Sequence, residues 1–187
     1  MMNKTMLKSK YLIFLLFCGS LSLVGQGCAV DSLGRLQGPC TETLGEEYIV
    51  RDVNYIDGVL EGPFVVRYTW DKGPLIISRG QHRNGREHGL VYEYDVSGRL
   101  KATWNYKNGI LHGVVTRYSK GRLLMIERYE DGLANGLWQI FHKNGKPKVF
   151  FYCKDDVLGD LHYLDKQGKV YKIVKRKRGE EAGEGVR

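Results

Sequence analysis

Five histidines, four cysteines and an adjacent aspartate pair are the residues of this 187-residue chain whose types suit metal binding or catalysis. His88 and His112 each stand directly before a glycine of a recurring octet, so they occupy equivalent places in adjacent units. If the units are β-hairpins, those places lie on the order of 10 Å apart, whereas the ligands of one zinc each sit about 2.0–2.1 Å from it. His82 and His88 share one octet, but no Cys-x-x-Cys or His-Glu-x-x-His spacing accompanies them. They read as turn decoration. Asp155 and Asp156 are paired carboxylates, yet Asp155 stands where the other octets carry a turn glycine. Glu46 and Glu47 lie outside the octets. No Gly-x-Gly-x-x-Gly precedes a helical pattern, and no Gly-x-Ser-x-Gly elbow occurs. The expectation is a protein without catalytic residues, metal, cofactor or small-molecule substrate.

The cysteines point to a compartment. Lys4, Lys8 and Lys10 precede the uncharged run Tyr11–Val24, followed by small residues and Cys28. This is the pattern of an export signal, too short for an ordinary spanning helix. A cysteine directly after such a leader resembles a bacterial lipoprotein signal, with Cys28 as the lipidated N-terminus, although Gly25 stands where these signals usually have Leu. Lipidation of Cys28 would leave Cys40 and Cys153 as a possible disulfide in an oxidising envelope. Without it, Cys28–Cys40 is the alternative bridge and Cys153 is left over; free thiols are a third arrangement. The expected location is the periplasm or the outer-membrane or cell surface as a lipoprotein, with a secreted soluble product as the alternative.

The elements that must position any site are set by repetition. An aromatic residue or His is followed three and seven residues later by Gly at Tyr55, Gly58, Gly62; His82, Gly85, Gly89; Tyr106, Gly109, Gly113; and Tyr129, Gly132, Gly136. The last copy reads Tyr152, Asp155, Gly159, and the starts are 27, 24, 23 and 23 residues apart. Five residues after the closing glycine stands Tyr94, Tyr118, Phe141 or Leu164, with Tyr68 one residue late in the first copy. A fixed period in this range marks a repeat architecture. Between the glycines the chain alternates with period two, as in Leu100, Ala102, Trp104 and Tyr106, and is rich in β-branched and aromatic types. Asn84-Gly85 and Asn108-Gly109 are strong tight-turn signals. The fold class is all-β: an elongated single-layer antiparallel sheet of consecutive β-hairpins.

Residues 1–27 are thus a leader, 28–52 a tether or degenerate capping repeat, 53–171 five repeats, and 172–187 a charge-rich tail without aromatics that reads as disordered. The net charge of +8 shrinks to about +2 for the repeats once three leader lysines and the basic tail are set aside. A weakly charged body argues against nucleic acid as partner.

The unit Tyr-x-x-Gly-x-x-x-Gly, then Tyr and Gly-Arg/Lys-Leu, resembles the MORN repeat. It is closer still to the bacterial variant in YwqK-family antitoxin-like proteins, over roughly residues 53–171. Departures are His82 for the first Tyr, Asp155 for the first Gly and Leu164 for the ring. The resemblance implies a non-enzymatic module that binds another protein, here at the cell envelope with a lipid anchor to the membrane. It also implies an alternative, an antitoxin neutralising a toxin. A carbohydrate- or lipid-active enzyme is the third reading and lacks clustered carboxylates. Trp104 and Trp138 stand outside the Tyr columns and, with Tyr92, are the candidate partner-binding rings.

Overall fold

A computed structural model describes residues 27–44, 48–70 and 73–176. The leader up to residue 26, Glu46, Glu47 and the tail from 177 lie outside the described residues. In chain order the sheet opens with β1 (Ala29–Val30), β2 (Leu36–Thr43), β3 (Ile49–Ile56), β4 (Val59–Leu60), β5 (Gly62–Trp70) and β6 (Gly73–Arg83). It continues with β7 (Arg86–Glu87), β8 (Gly89–Tyr94), β9 (Leu100–Lys107), β10 (Ile110–Leu111), β11 (Gly113–Ser119) and β12 (Arg122–Glu130). The last strands are β13 (Leu133–Ala134), β14 (Gly136–Phe141), β15 (Pro147–Lys154), β16 (Val157–Leu158), β17 (Leu161–Leu164) and β18 (Val170–Val174). All pairings are antiparallel, in one open sheet of consecutive hairpins.

Each unit is built the same way. A long strand ends in a two-residue turn with positive φ at both positions, as at Asn108 (54°) and Gly109 (82°). The chain then folds back for two residues, β10 on β9, and leaves through the closing glycine into the next hairpin. Asn and Gly are the residues that reach this conformation at least cost. The closing glycine has a second duty: Gly62, Gly89 and Gly113 are the Cα partners of His82, Tyr106 and Tyr129 in the following strand. Successive hairpins join through as few as two residue pairs, for example Ala102 with Arg117 and Thr103 with Thr116.

Each of the five hairpins from β5–β6 onward carries a β-bulge at one place: after Val66, Glu93, Arg117, Ile140 and Tyr163. Tyr94, Tyr118, Phe141 and Leu164 are each the first residue past it, and Arg67 holds that position in the first hairpin. This is why Tyr68 looked one residue late. A recurring bulge adds twist at a fixed spot in each unit.

Period-two alternation sorts the side chains into two faces. Val53, Phe64, Val91, Ala102, Val115 and Phe151 are buried on one face, which we term the inner face. One cluster gathers Cys40, Val53, Tyr55, Phe64 and Val91; the other gathers Ala134, Trp138, Val149, Phe151, Cys153, Leu158 and Leu161. Gly80 is the close-approach point of the first cluster. A Cβ there would stand 2.7 Å from Val91 Cγ2 and 2.9 Å from Phe64 Cε1.

One expectation resolves to one of its alternatives, and two others change. Residues 36–43 form β2 and 49–52 the start of β3, and Gly38 is the partner of Tyr55 just as Gly62 is of His82, so of the two alternatives, tether or degenerate capping repeat, these residues take the repeat-like one and pair on the sheet. At the other end, Lys172, Ile173 and Val174 belong to β18, where alternation of β-formers with lysines lets the strand pair with β17 despite its charge. In the fifth unit the register slips by one. Cys153 pairs with Leu158 as Tyr106 pairs with Leu111, so Cys153 and Asp156, not Tyr152 and Asp155, hold the column positions. Tyr152 faces out and is 60% exposed, and Gly159, without positive φ, is the equivalent of His112.

Candidate binding surface and an inner polar cluster

The three candidate partner-binding rings divide between the faces. Trp138 is a core residue: it is 7% exposed, packs on Tyr129 and Phe151 at centroid distances of 5.6 and 5.7 Å, and its Nε1–H donates to the Arg128 carbonyl at 3.1 Å. Trp104 is half-buried against the first cluster; its Nε1–H donates to Glu93 and the Arg117 guanidinium lies over its ring at 4.6 Å. Both therefore belong to the packing of the inner face, because their strand parity aims them there. Tyr92 is on the other, outer face, half-buried, with the Arg79 guanidinium 5.1 Å from its ring centre.

The inner face also carries polar groups that the repeat pattern did not announce. Glu42, 6% exposed, accepts hydrogen bonds from Arg51 and from the Tyr55 hydroxyl. The neighbouring unit breaks the Tyr–Leu pairing of the column: His82 faces Glu87, where Tyr55 faces Leu60 and Tyr106 faces Leu111. Burial pushes the His82 imidazole down to about 4, with the Arg51 charge adding to the effect. Burial likewise pushes Glu87 up to about 7, opposed by Arg51, and the Tyr55 hydroxyl up to about 12. His82 is thus neutral near pH 7 and Glu87 is divided between its two forms. A second polar line runs from Glu93 through Trp104 to Arg117, whose Nε donates to both Glu127 oxygens at 3.0 Å.

The histidines before the closing glycines do one job twice. Nδ1 of His88 accepts from the Asn108 amide at 3.4 Å, and Nδ1 of His112 accepts from the Asp131 amide at 3.3 Å. Each caps the tight turn of the following unit. Among the described residues, no three His, Cys, Asp or Glu side chains are grouped to hold a metal.

The cysteines take the alternative arrangement. Cys28 and Cys40 form a disulfide with Cα atoms 4.5 Å apart, which ties the start of the described chain to β2. Cys153 is a free thiol, buried in the second cluster and pushed up to about 11, chiefly by burial. The Cys40–Cys153 bridge is not formed, since the two residues sit in different clusters. A sulfur in a disulfide cannot also carry a thioether lipid, so this bridge and lipidation at Cys28 exclude each other.

The exposed surface has its own repeat, which sequence reasoning passed over. Val59, Ile110, Leu133 and Val157 are each the first residue of a two-residue strand, and each is 44–49% exposed. Arg86 holds the equivalent place in the second unit. These side chains lean on the next unit's turn: a Cβ on Gly132 would come within 3.2 Å of Ile110 Cγ2, and one on Gly85 within 3.6 Å of Val59 Cγ1. The result is an apolar stripe along one rim of the sheet. The available signal was the residue just after each two-residue turn, which follows a glycine at Val59, Ile110 and Leu133 and Asp156 at Val157. Near the last hairpins, Lys143, Lys146, Lys148 and Lys166 line an open depression of about 450 Å³ with Phe141. No family model matches the chain, and no curated protein matches it.

Proposed function

We propose that this protein is an exported, non-enzymatic repeat module that binds another protein along the rim stripe. The observation that carries the reading is the recurrence of Val59, Ile110, Leu133 and Val157, exposed apolar side chains at one structural position in four units. Such a row, broken by Arg86 in the second unit and continuous from Ile110 through Leu133 to Val157, costs solvation in a free monomer, and exposed apolar surface of this kind marks interaction sites. The resemblance to MORN-type repeats, which act as binding modules, supports the same conclusion. The leader pattern and the Cys28–Cys40 disulfide favour an oxidising compartment outside the cytoplasm.

The test is capture from envelope extract with three baits: the mature chain, Ile110→Asp/Leu133→Asp, and Val96→Asp. Val96 is 80% exposed at a distant hairpin tip and serves as control. The expected outcome is a partner retained by the wild type and the control and lost by the double variant, with unchanged circular dichroism. Capture indifferent to the double substitution would overturn the rim as the binding surface.

A further inference from the structure

The two ends of the sheet are finished differently. At the N-terminal end β2 is covered by β1 over Leu36 and Gln37, carries Pro39, which has no N–H to offer, and is clipped by the Cys28–Cys40 disulfide. These are devices that blunt an edge. At the C-terminal end β18 pairs with β17 on one side, and no strand covers its other side among the described residues. Every second residue of such an edge turns its N–H and C=O away from the sheet, ready for another strand. Its sequence, Val-Tyr-Lys-Ile-Val, is strand-forming, and Tyr171 and Ile173 are 66% and 52% exposed; its own guards are the bulge at Tyr171 and the central Lys172, which act against a like-charged strand rather than covering the edge.

Charge decides what fits. From residue 27 to 140 there are 14 Lys/Arg and 14 Asp/Glu, whereas from 141 to 176 there are nine against four. The excess lies around the open edge: Lys169, Lys172 and Lys175 on or beside β18, with Lys143, Lys146 and Lys166 at the neighbouring hairpin tips. The carboxylate pairs of the fold lie mostly elsewhere, between Asp31 and Asp131. A second copy of this chain would set Lys172 against an equally basic strand, which a central edge lysine disfavours. A strand bearing carboxylates gains both the ladder and the charge.

We infer that β18 is a docking edge for an extended acidic segment of a partner protein, added as the next antiparallel strand. The main chain of β18 supplies the hydrogen bonds, the exposed Ile173 supplies apolar contact on the outer face, and the lysines select glutamate- or aspartate-bearing sequences. This edge is separate from the rim stripe and does not depend on it.

The probe is a fluorescein-labelled peptide, Thr-Glu-Val-Glu-Val-Glu-Thr, titrated into the full mature chain by anisotropy, beside the same peptide with Lys for Glu. The expected result is saturable binding of the acidic peptide at least about tenfold tighter than its lysine counterpart. Lys169→Glu should weaken it several-fold without lowering the melting temperature, and Lys172→Glu should weaken it several-fold as well, with some loss of stability because the Lys172 ammonium lies over the Tyr163 ring at 5.4 Å. Ile110→Asp/Leu133→Asp should leave it unchanged, so that loss of the rim reading and loss of this one are told apart. Absence of acidic-peptide binding, equal binding of both peptides, or indifference to both lysine substitutions would overturn the inference. So would concentration-dependent dimerisation abolished by Lys172→Glu, which assigns the edge to a second copy. Binding of phosphatidylglycerol vesicles but not of the peptide would likewise overturn it by assigning the basic end to a membrane surface.

Discussion

The guanidinium of Arg117 lies over the indole of Trp104, 4.6 Å from its ring centre, across the seam between two neighbouring hairpins. Trp104 is on β9 and Arg117 on β11, and their strands meet through two residue pairs. The contact therefore reinforces a narrow junction. Glu127, accepting from Arg117 on one side, and Glu93, accepting from Trp104 on the other, hold both partners in place.

It follows that the tryptophans serve the fold. Trp138→Ala should cost roughly 3–5 kcal/mol, the range for removing a buried aromatic. Trp104→Ala should cost roughly 2 kcal/mol through lost half-buried area and the cation–π contact. Urea denaturation of the two variants measures both. A Trp138→Ala protein as stable as the wild type would contradict its place in the core.

The turn glycines differ in what a side chain would meet. Gly113 has φ of 99° and a Cβ there would stand 2.7 Å from Asn105 Nδ2, while Gly168 has φ of 88° and open space. Gly168→Ala should cost only the left-handed penalty of about 1–2 kcal/mol. Gly113→Val adds a steric clash and β-branching and should cost more than that. Equal melting temperatures for the two would mean that Gly113 is not held as described.

Stability should depend on pH through the His82–Glu87 pair, with opposite signs. Glu87, at about 7 when folded against 4.5 as reference, binds more proton in the folded state, so its contribution falls as pH rises from about 4.5 through 7. His82, at about 4 against 6.5, binds less when folded, so its contribution falls as pH drops from about 6.5 through 4. Between about 4.5 and 6.5 the two slopes oppose each other. Denaturation midpoints should be flattest there and fall on either side. Glu87→Gln should remove the decline between pH 6.5 and 8; persistence of that decline would exclude Glu87 as its source.

Peptide mapping without reductant should recover Cys28 linked to Cys40. Cys153 should resist alkylation at pH 7 until the protein unfolds, because burial excludes the reagent and keeps the thiol protonated. Reduction should lower stability by up to about 3 kcal/mol, the chain-entropy estimate for a loop of about 15 residues. An acylated Cys28 in the mass spectrum, with Cys40 free, would contradict the pairing.

The sequence by itself determined the hairpin, its period and its turns. Those depend on local chemistry: Asn-Gly reaches positive φ at little cost, and alternation with period two can only be a strand. The positions of Gly109, Gly113, Gly132 and Gly136 in left-handed turns follow from the same cause. The tertiary structure decided which face each residue meets, because one slip of register exchanges the faces. That is how Cys153 displaces Tyr152 from the inner column and how two tryptophans offered as surface rings become packing. It also decided the cysteine partners and brought Glu42, Arg51, Tyr55, His82 and Glu87 onto one face, since these come from four strands and no single motif spans them.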